Sequence, residues 1–301
     1  MTAPARSLAI AALAVALMAP AQPTRAAGTH RAPRFVAVAP GVRIHVVRAG
    51  PSNGARAPAL VLIPGWRLTT AVWREQIDRF SKDRTVIAID PRSQGESTKT
   101  GEGDTPEQRA RDLHAVLNAL TPGPVVLVGW SQGVQDVAAY VDQFGVQGLK
   151  GVVLVDSTVS VGAASSSPQT TAQQLKQISQ FTRYPREATE GMMKAIIQKP
   201  LTTEEGRRLV DDALKTPTAI GAAMLADDLL GPDRTGALPK FTVPTLVIAS
   251  AFSQELDGQR AMAAKLPHAR FEVVAGAGHA VFIDQPERFD ALVRDFLASL
   301  A

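Results

Sequence analysis

Val125-Val126-Leu127-Val128-Gly129-Trp130-Ser131-Gln132-Gly133-Val134 is the run of residues from which the fold can be worked out. Four branched or aliphatic residues, preceded by Thr121-Pro122-Gly123-Pro124, read as a strand buried on both faces. A Gly-x-Ser-x-Gly turn follows, then a segment with helical periodicity. Such a sharp turn lifts the Ser131 hydroxyl clear of the backbone, and the flanking glycines let the chain pass closely. The N–H groups that open the next helix point toward developing negative charge. The pentapeptide alone recurs by chance in many chains. The strand before it and the helix after it turn it into a specific sign of a serine nucleophile, against the plainer reading of a glycine-rich turn with an exposed serine.

Outward from this point the chain alternates strand and helix. Residues 34–38 and 42–47, separated by Pro40-Gly41, read as an edge hairpin. Residues 59–63, 85–89, 151–155 and 243–249 are apolar runs without alternation, the mark of strands covered on both sides, and residues 270–274 read as the last strand. Between them lie helices with apolar stripes, such as Leu113, Val116, Leu117 and Leu120 in a segment that starts at Pro106. The implied fold is α/β, with a mostly parallel eight-stranded sheet flanked by helices.

The alternation stops after Asp156. Residues 157–167 are small and polar, and from 171 to 230 only helical signals occur, in segments near 171–184, 186–198, 202–214 and 217–230. Thr202-Thr203-Glu204-Glu205 reads as a capped helix start. An insertion of this size between two strands is too large for a simple connection, and its place in the topology sets it over the carboxyl ends of the strands. The expected organisation is a core of residues 27–156 and 243–301 with a helical cap at 157–242.

Residues 1–26 read as a signal peptide. Arg6 gives a positive start, Leu8 to Ala19 carry no charge, and Ala19-Pro20-Ala21 and Thr24-Arg25-Ala26 offer cleavage sites. The apolar run is too short for a membrane span, so the mature chain is expected to be secreted or periplasmic without stable membrane insertion. The chain has no cysteine, which removes disulfides, thiolate metal sites and a cysteine nucleophile. The formal charge of +4 falls to +2 once Arg6 and Arg25 are removed, and the basic residues are scattered among acids, so no nucleic-acid partner is expected. Neither a short-spaced metal-ligand cluster nor a glycine-rich dinucleotide fingerprint is visible, so no metal or cofactor is expected.

Five features in order resemble those of the α/β-hydrolase family over nearly the whole mature chain. They are Ile63-Pro64-Gly65-Trp66, Asp90-Pro91-Arg92-Ser93-Gln94-Gly95-Glu96-Ser97, the Gly129–Gly133 turn, the 243–249 strand, and Gly276-Ala277-Gly278-His279 followed by Asp284-Gln285-Pro286-Glu287-Arg288-Phe289. The likeness is to the branch of esterases, haloperoxidase-like enzymes and lactonases with a helical cap. There are two departures. Pro64-Gly65 stands where the family commonly has His-Gly. Ser253 stands in the slot where the family usually carries its triad acid.

The resemblance implies Ser131 as nucleophile and His279 as general base, the only one of five histidines in a glycine-flanked loop after the last strand. Some relatives take the acid from the end of the sixth strand, where this chain has Asp156. Both positions end strands beside that of the nucleophile, so Asp156 is the expected acid, with Glu255 and Asp257 as alternatives from a shifted loop. The competing role for Asp156 is to brace its own loop. The oxyanion hole is expected from the backbone N–H groups of Trp66 and Gln132. Trp130, Met192 and Met193 are candidates for a substrate pocket, with core packing as the rival role. Asp90, Arg92 and Ser97 read as a structural turn. The expected substrate is a carboxylic ester or lactone with an apolar acyl part, cleaved through an acyl-enzyme. Rivals are amide or carbon–carbon bond hydrolysis or perhydrolysis at the same site, and a ligand-binding homologue without catalysis.

Overall fold

The computed structural model describes residues 32–51, 57–121, 123–160 and 168–300. The expected signal peptide, most of the 157–167 linker and part of the loop near Asn53 lie outside these residues. Eight strands form one sheet: β1 (Ala32–Ala39), β2 (Val42–Ala49), β3 (Ala59–Ile63), β4 (Val86–Ile89), β5 (Val125–Trp130), β6 (Leu149–Val155), β7 (Thr245–Ser250) and β8 (Ala269–Val274). Their spatial order is β1-β2-β4-β3-β5-β6-β7-β8. β2 runs antiparallel to both of its neighbours, and every other pair is parallel. β7 begins two residues later than the apolar run suggests. Pro244 has no N–H to give the ladder, and it joins only by its carbonyl, which accepts from Val152 N–H at 3.0 Å.

Alternate residues of each central strand enter opposite layers, because successive side chains leave a strand on opposite faces. Leu60, Leu62, Val126, Val128, Val153 and Val155 share one cluster with α1 (Arg74–Phe80). Val61, Ile63, Val125, Leu127, Val152 and Leu154 share the other with α2 (Pro106–Leu120) and α3 (Gln132–Phe144). Among the described residues, the insertion between β6 and β7 holds four α-helices, α4 (Pro168–Arg183), α5 (Pro185–Ile196), α6 (Thr203–Ala213) and α7 (Thr218–Leu230). It forms the helical cap, with α4 packed on α5 and α7, and α5 on α6. Thr202 starts α6 with a full capping box: Glu205 N–H donates to Thr202 Oγ1 at 3.2 Å, and Thr202 N–H donates to Glu205 Oε2 at 3.1 Å. The chain closes with α8 (Leu256–Lys265), the single turn α9 (Val281–Asp284) and α10 (Pro286–Ser299). Phe289, Leu292, Val293 and Phe296 of α10 belong to the same layer as α1.

The loop after β4 is braced as a unit. Asp90 accepts the N–H groups of Thr70 at 2.6 Å and Glu96 at 2.9 Å, and Arg92 grips Asp112 with two bonds of 2.7 and 2.6 Å. His45 lies 2.8 Å from Asp90 through Nδ1 in the same buried knot. Among the described residues no helix is long and apolar enough to cross a membrane.

Candidate active site

The turn after β5 has the backbone that its sequence requires. Ser131 sits at φ 56° and ψ −126°, a conformation a non-glycine residue adopts only when its surroundings impose it. A Cβ on Gly133 would lie 2.7 Å from Ile63 O and 2.9 Å from Pro64 O, so only glycine lets α3 start this close to the end of β3. A Cβ on Gly65 would lie 3.2 Å from Ser131 Oγ, which brings the Pro64-Gly65-Trp66 loop directly against the hydroxyl. Ser131 N–H donates to Val155 O at 3.0 Å, and Val134 N–H to Ser131 O at 2.8 Å. Gln132 opens α3, and first-turn N–H groups of a helix lack partners within it.

Strand register sets Asp156 beside the turn. Trp130 pairs with Val155, so Ser131 and Asp156 leave adjacent parallel strands at the same level. Asp156 also has a positive φ, 46°. Its carboxylate is buried, and each oxygen has a separate task. Oδ1 accepts from Ser250 N–H at 2.8 Å and from Gln259 Nε2 at 3.2 Å, while Oδ2 lies 2.7 Å from His279 Nδ1. The Asp156 side chain is 1% exposed and that of His279 31%, so the ring has one shielded edge and one reachable edge.

The histidine loop is held from several sides. Trp130 Nε1 donates to His279 O at 2.9 Å, and the two rings lie 5.4 Å apart between centroids. Ser250 Oγ donates to Ala277 O at 2.6 Å. Gly278 N–H donates to Asp284 Oδ2 at 2.7 Å. The cap joins in: Ala280 N–H donates to Ile196 O at 2.9 Å, and Gln198 and Lys199 give their N–H groups to Asp284 Oδ1 at 2.9 and 2.8 Å.

The other candidates lie apart from this cluster or play different parts. Glu255 accepts from Thr158 N–H at 3.2 Å, and burial pushes its carboxyl above the usual range. Asp257 is exposed in the first turn of α8. Ser253 accepts from Gln259 Nε2 at 2.9 Å, so the usual acid slot is filled by a hydroxyl bound to the amide that also holds Asp156. Trp130 is 1% exposed and packs edge-on against Trp73 and Phe282. Met193 is buried with Leu209 and Val210 between α5 and α6, and Met192 packs at that cluster's edge. Met193 also floors a cavity of about 640 Å³ in the cap, whose lining includes none of Ser131, His279 or Asp156. Trp66 Nε1 reaches across to the cap and donates to Gly221 O at 2.8 Å.

Sequence reasoning missed Ser250 and Gln259 as supports of Asp156. Gln259 is separated from Asp156 by 103 residues, and nothing in its neighbourhood distinguishes it from an ordinary helix glutamine. Among the described residues, no group of three or more His, Asp or Glu side chains is placed to hold a metal ion.

Residues 60–292 match a family model described as "Alpha/beta hydrolase family". A non-heme chloroperoxidase of Kitasatospora aureofaciens is 26% identical over 251 residues, covering 79% of this chain and 91% of the relative. A pimeloyl-[acyl-carrier protein] methyl ester esterase of Yersinia enterocolitica is 28% identical over 249 residues, 79% of this chain and 92% of the relative. Among solved structures, a thermophilic esterase from Thermogutta terrifontis superposes with a TM-score of 0.74 at 25% identity, covering 90% of this chain and 99% of that one. An esterase from Exiguobacterium antarcticum shares the fold, with a TM-score of 0.79 at 20% identity over 88% of this chain and 98% of its own.

Proposed function

Since the chain belongs to the alpha/beta hydrolase family, a family of hydrolytic enzymes, we propose that it is a secreted serine hydrolase that cleaves a carboxylic ester or lactone through an acyl-enzyme. The observation that carries this reading is the 2.7 Å contact between Asp156 Oδ2 and His279 Nδ1, with the imidazole beside the Trp130-Ser131 turn. A buried carboxylate on Nδ1 keeps the proton there and leaves Nε2 as the acceptor. Ser131 Oγ attacks the acyl carbon and passes its proton to Nε2. The carbonyl oxygen becomes an anion facing the N–H groups of Trp66 and Gln132, each donor supplying about 3 kcal/mol. Collapse breaks the ester bond, and the imidazolium returns its proton to the leaving alcohol. Water then repeats the sequence on the acyl-serine and frees the acid.

Burst kinetics test the reading. A p-nitrophenyl ester gives a burst stoichiometric with enzyme, and Ser131→Ala removes burst and steady state together. Turnover that survives Ser131→Ala, or a wild-type chain inert across acyl lengths and lactones, overturns it. The similarity to a non-heme chloroperoxidase supports a second reading of the same site, in which hydrogen peroxide replaces water and the product is a peracid. Halide oxidation that depends on a carboxylic acid separates the two. Export is read from Arg6 and the uncharged run from Leu8 to Ala19, and the mass of the mature N-terminus checks it.

A further inference from the structure

Arg67 is the strangest side chain in the molecule. It follows directly after Trp66, has a positive φ of 58°, and is 0% exposed. Its guanidinium stacks between two aromatic rings, 4.1 Å from the centroid of Trp66 and 4.2 Å from that of Phe181 in α4. One nitrogen is used: Nη1 donates to Thr189 Oγ1 in α5 at 3.0 Å. Nε and Nη2 are buried without a hydrogen-bond partner. Among the described residues no carboxylate pairs with it, and burial alone lowers its proton affinity, to a pKa of about 10. It therefore stays a cation at neutral pH.

An unsatisfied buried guanidinium is costly, and the two rings offset only part of that cost. The pattern of what is left open is informative. Nε and Nη2 form one edge of the guanidinium plane, with two parallel N–H bonds. That fork matches two oxygens of a carboxylate or of a phosphate, and of these a carboxylate is the group an ester's acyl chain commonly carries. Trp66 and Phe181 block the faces, Thr189 takes the opposite edge, and only an in-plane approach remains. The Cδ of Arg67 lies against Gly221 of α7, where an added Cβ would come within 2.7 Å, so the arm is held in place by a residue without a side chain.

Position ties this edge to the reaction. Gly65 abuts the Ser131 hydroxyl, Trp66 supplies the expected oxyanion N–H, and Arg67 comes next. Arg67 therefore leaves the same loop that abuts Ser131, two residues after Gly65. We infer that Arg67 is a specificity residue that binds a free carboxylate on the acyl part of the substrate, so that the preferred substrates are monoesters of dicarboxylic acids, or lactones that carry a carboxylate. This rests on the serine-hydrolase reading above. Arg67 is fully buried under Phe181 of α4, Thr189 of α5 and Gly221 of α7, so binding at this edge requires those helices to move away from it.

The test uses the purified full chain and a matched pair, monoethyl adipate and ethyl hexanoate, which differ at the far end of the acyl chain. The wild type favours monoethyl adipate in kcat/KM by about tenfold or more, and Arg67→Met lowers that preference by about 100-fold. Arg67→Lys, which keeps the charge and loses the fork, falls between. Binding of adipate to Ser131→Ala protein, followed by calorimetry, weakens about 100-fold when Arg67→Met is added. A wild type that prefers ethyl hexanoate, or an adipate-to-hexanoate ratio that Arg67→Met leaves unchanged, overturns the assignment and makes Arg67 a structural pin of the cap. If neither ester turns over, it is the hydrolase reading that fails. Adipate binding then decides the carboxylate site alone: Arg67-dependent binding supports it, and no binding overturns it. Melting temperatures of Arg67→Met and Arg67→Lys verify that both fold.

Discussion

Replacing Asp156 by asparagine changes one oxygen into an NH2 group, and the structure dictates which one. The Oδ1 position receives two donors, Ser250 N–H at 2.8 Å and Gln259 Nε2 at 3.2 Å, so the amide oxygen must stay there. The NH2 then faces His279 Nδ1, 2.7 Å away in the wild type. A donor at that place forces Nδ1 to accept and moves the ring proton to Nε2. In the proposed mechanism, Nε2 can then no longer take the Ser131 proton. Tautomer inversion of this kind costs about 10⁴-fold in kcat in serine proteases, which at 1.36 kcal/mol per decade is about 5.4 kcal/mol. Size and burial are conserved, so the melting temperature stays within about 2 °C of wild type. The assay is stopped-flow acylation with a p-nitrophenyl ester, run beside Glu255→Gln and Asp257→Asn, which keep rates within about threefold. Asp156→Asn acylating within tenfold of wild type, or Glu255→Gln failing as badly, would refute the assignment of the acid.

Asp228 in α7 accepts a hydrogen bond from Gln135 of α3 across the seam between cap and core. Desolvation raises its carboxyl to about 7, with Glu255 and Asp136 adding to the rise and Arg109 and Gln135 opposing it. The folded state therefore binds the proton more tightly than the unfolded chain, and this contribution to stability is lost as pH rises through about 7. Asp228→Asn removes the loss, so its advantage in melting temperature over wild type grows between about pH 4 and pH 7, to roughly 2 °C or more, and levels off above; a flat difference across that range would count against it. Gly133→Ala drives a methyl into the Ile63 and Pro64 carbonyls and destabilises by about 1–3 kcal/mol, read from urea unfolding. Trp130→Phe removes the indole N–H from His279 O, and kcat falls about tenfold as the loop loosens.

Much of the fold is legible because its signals are local. β3, β5 and β6 are apolar without alternation, and a strand buried on both faces must be so. The four cap helices are bounded by Pro185, Thr202 and Pro217, which act through their own backbone. The site is legible where chemistry and backbone coincide, as at Gly129-Trp130-Ser131-Gln132-Gly133. Elsewhere it depends on distances along the chain that no pattern encodes. Whether Asp156 or Glu255 faces the imidazole turns on the register of β5 against β6 and on the path of the loop after β7. Trp130 looks like a pocket residue because it adjoins the serine, but it ends a strand with both faces covered, so its ring goes to the core. Arg67 gives no warning at all: an arginine in a loop normally reads as solvated, and only the cap's packing, more than a hundred residues later, surrounds it.

Asp284 gives one carboxylate oxygen to the backbone just before His279 and the other to the chain leaving α5, while Ile196 at the end of α5 accepts from Ala280. The imidazole therefore hangs partly from the inserted helices rather than from the sheet alone. Anyone paring this protein down to a minimal scaffold, or transplanting another relative's roof onto it, would unhook the proposed base in the same cut. The graft that keeps this imidazole in place is one that carries over the junction after α5 together with the residue at 284.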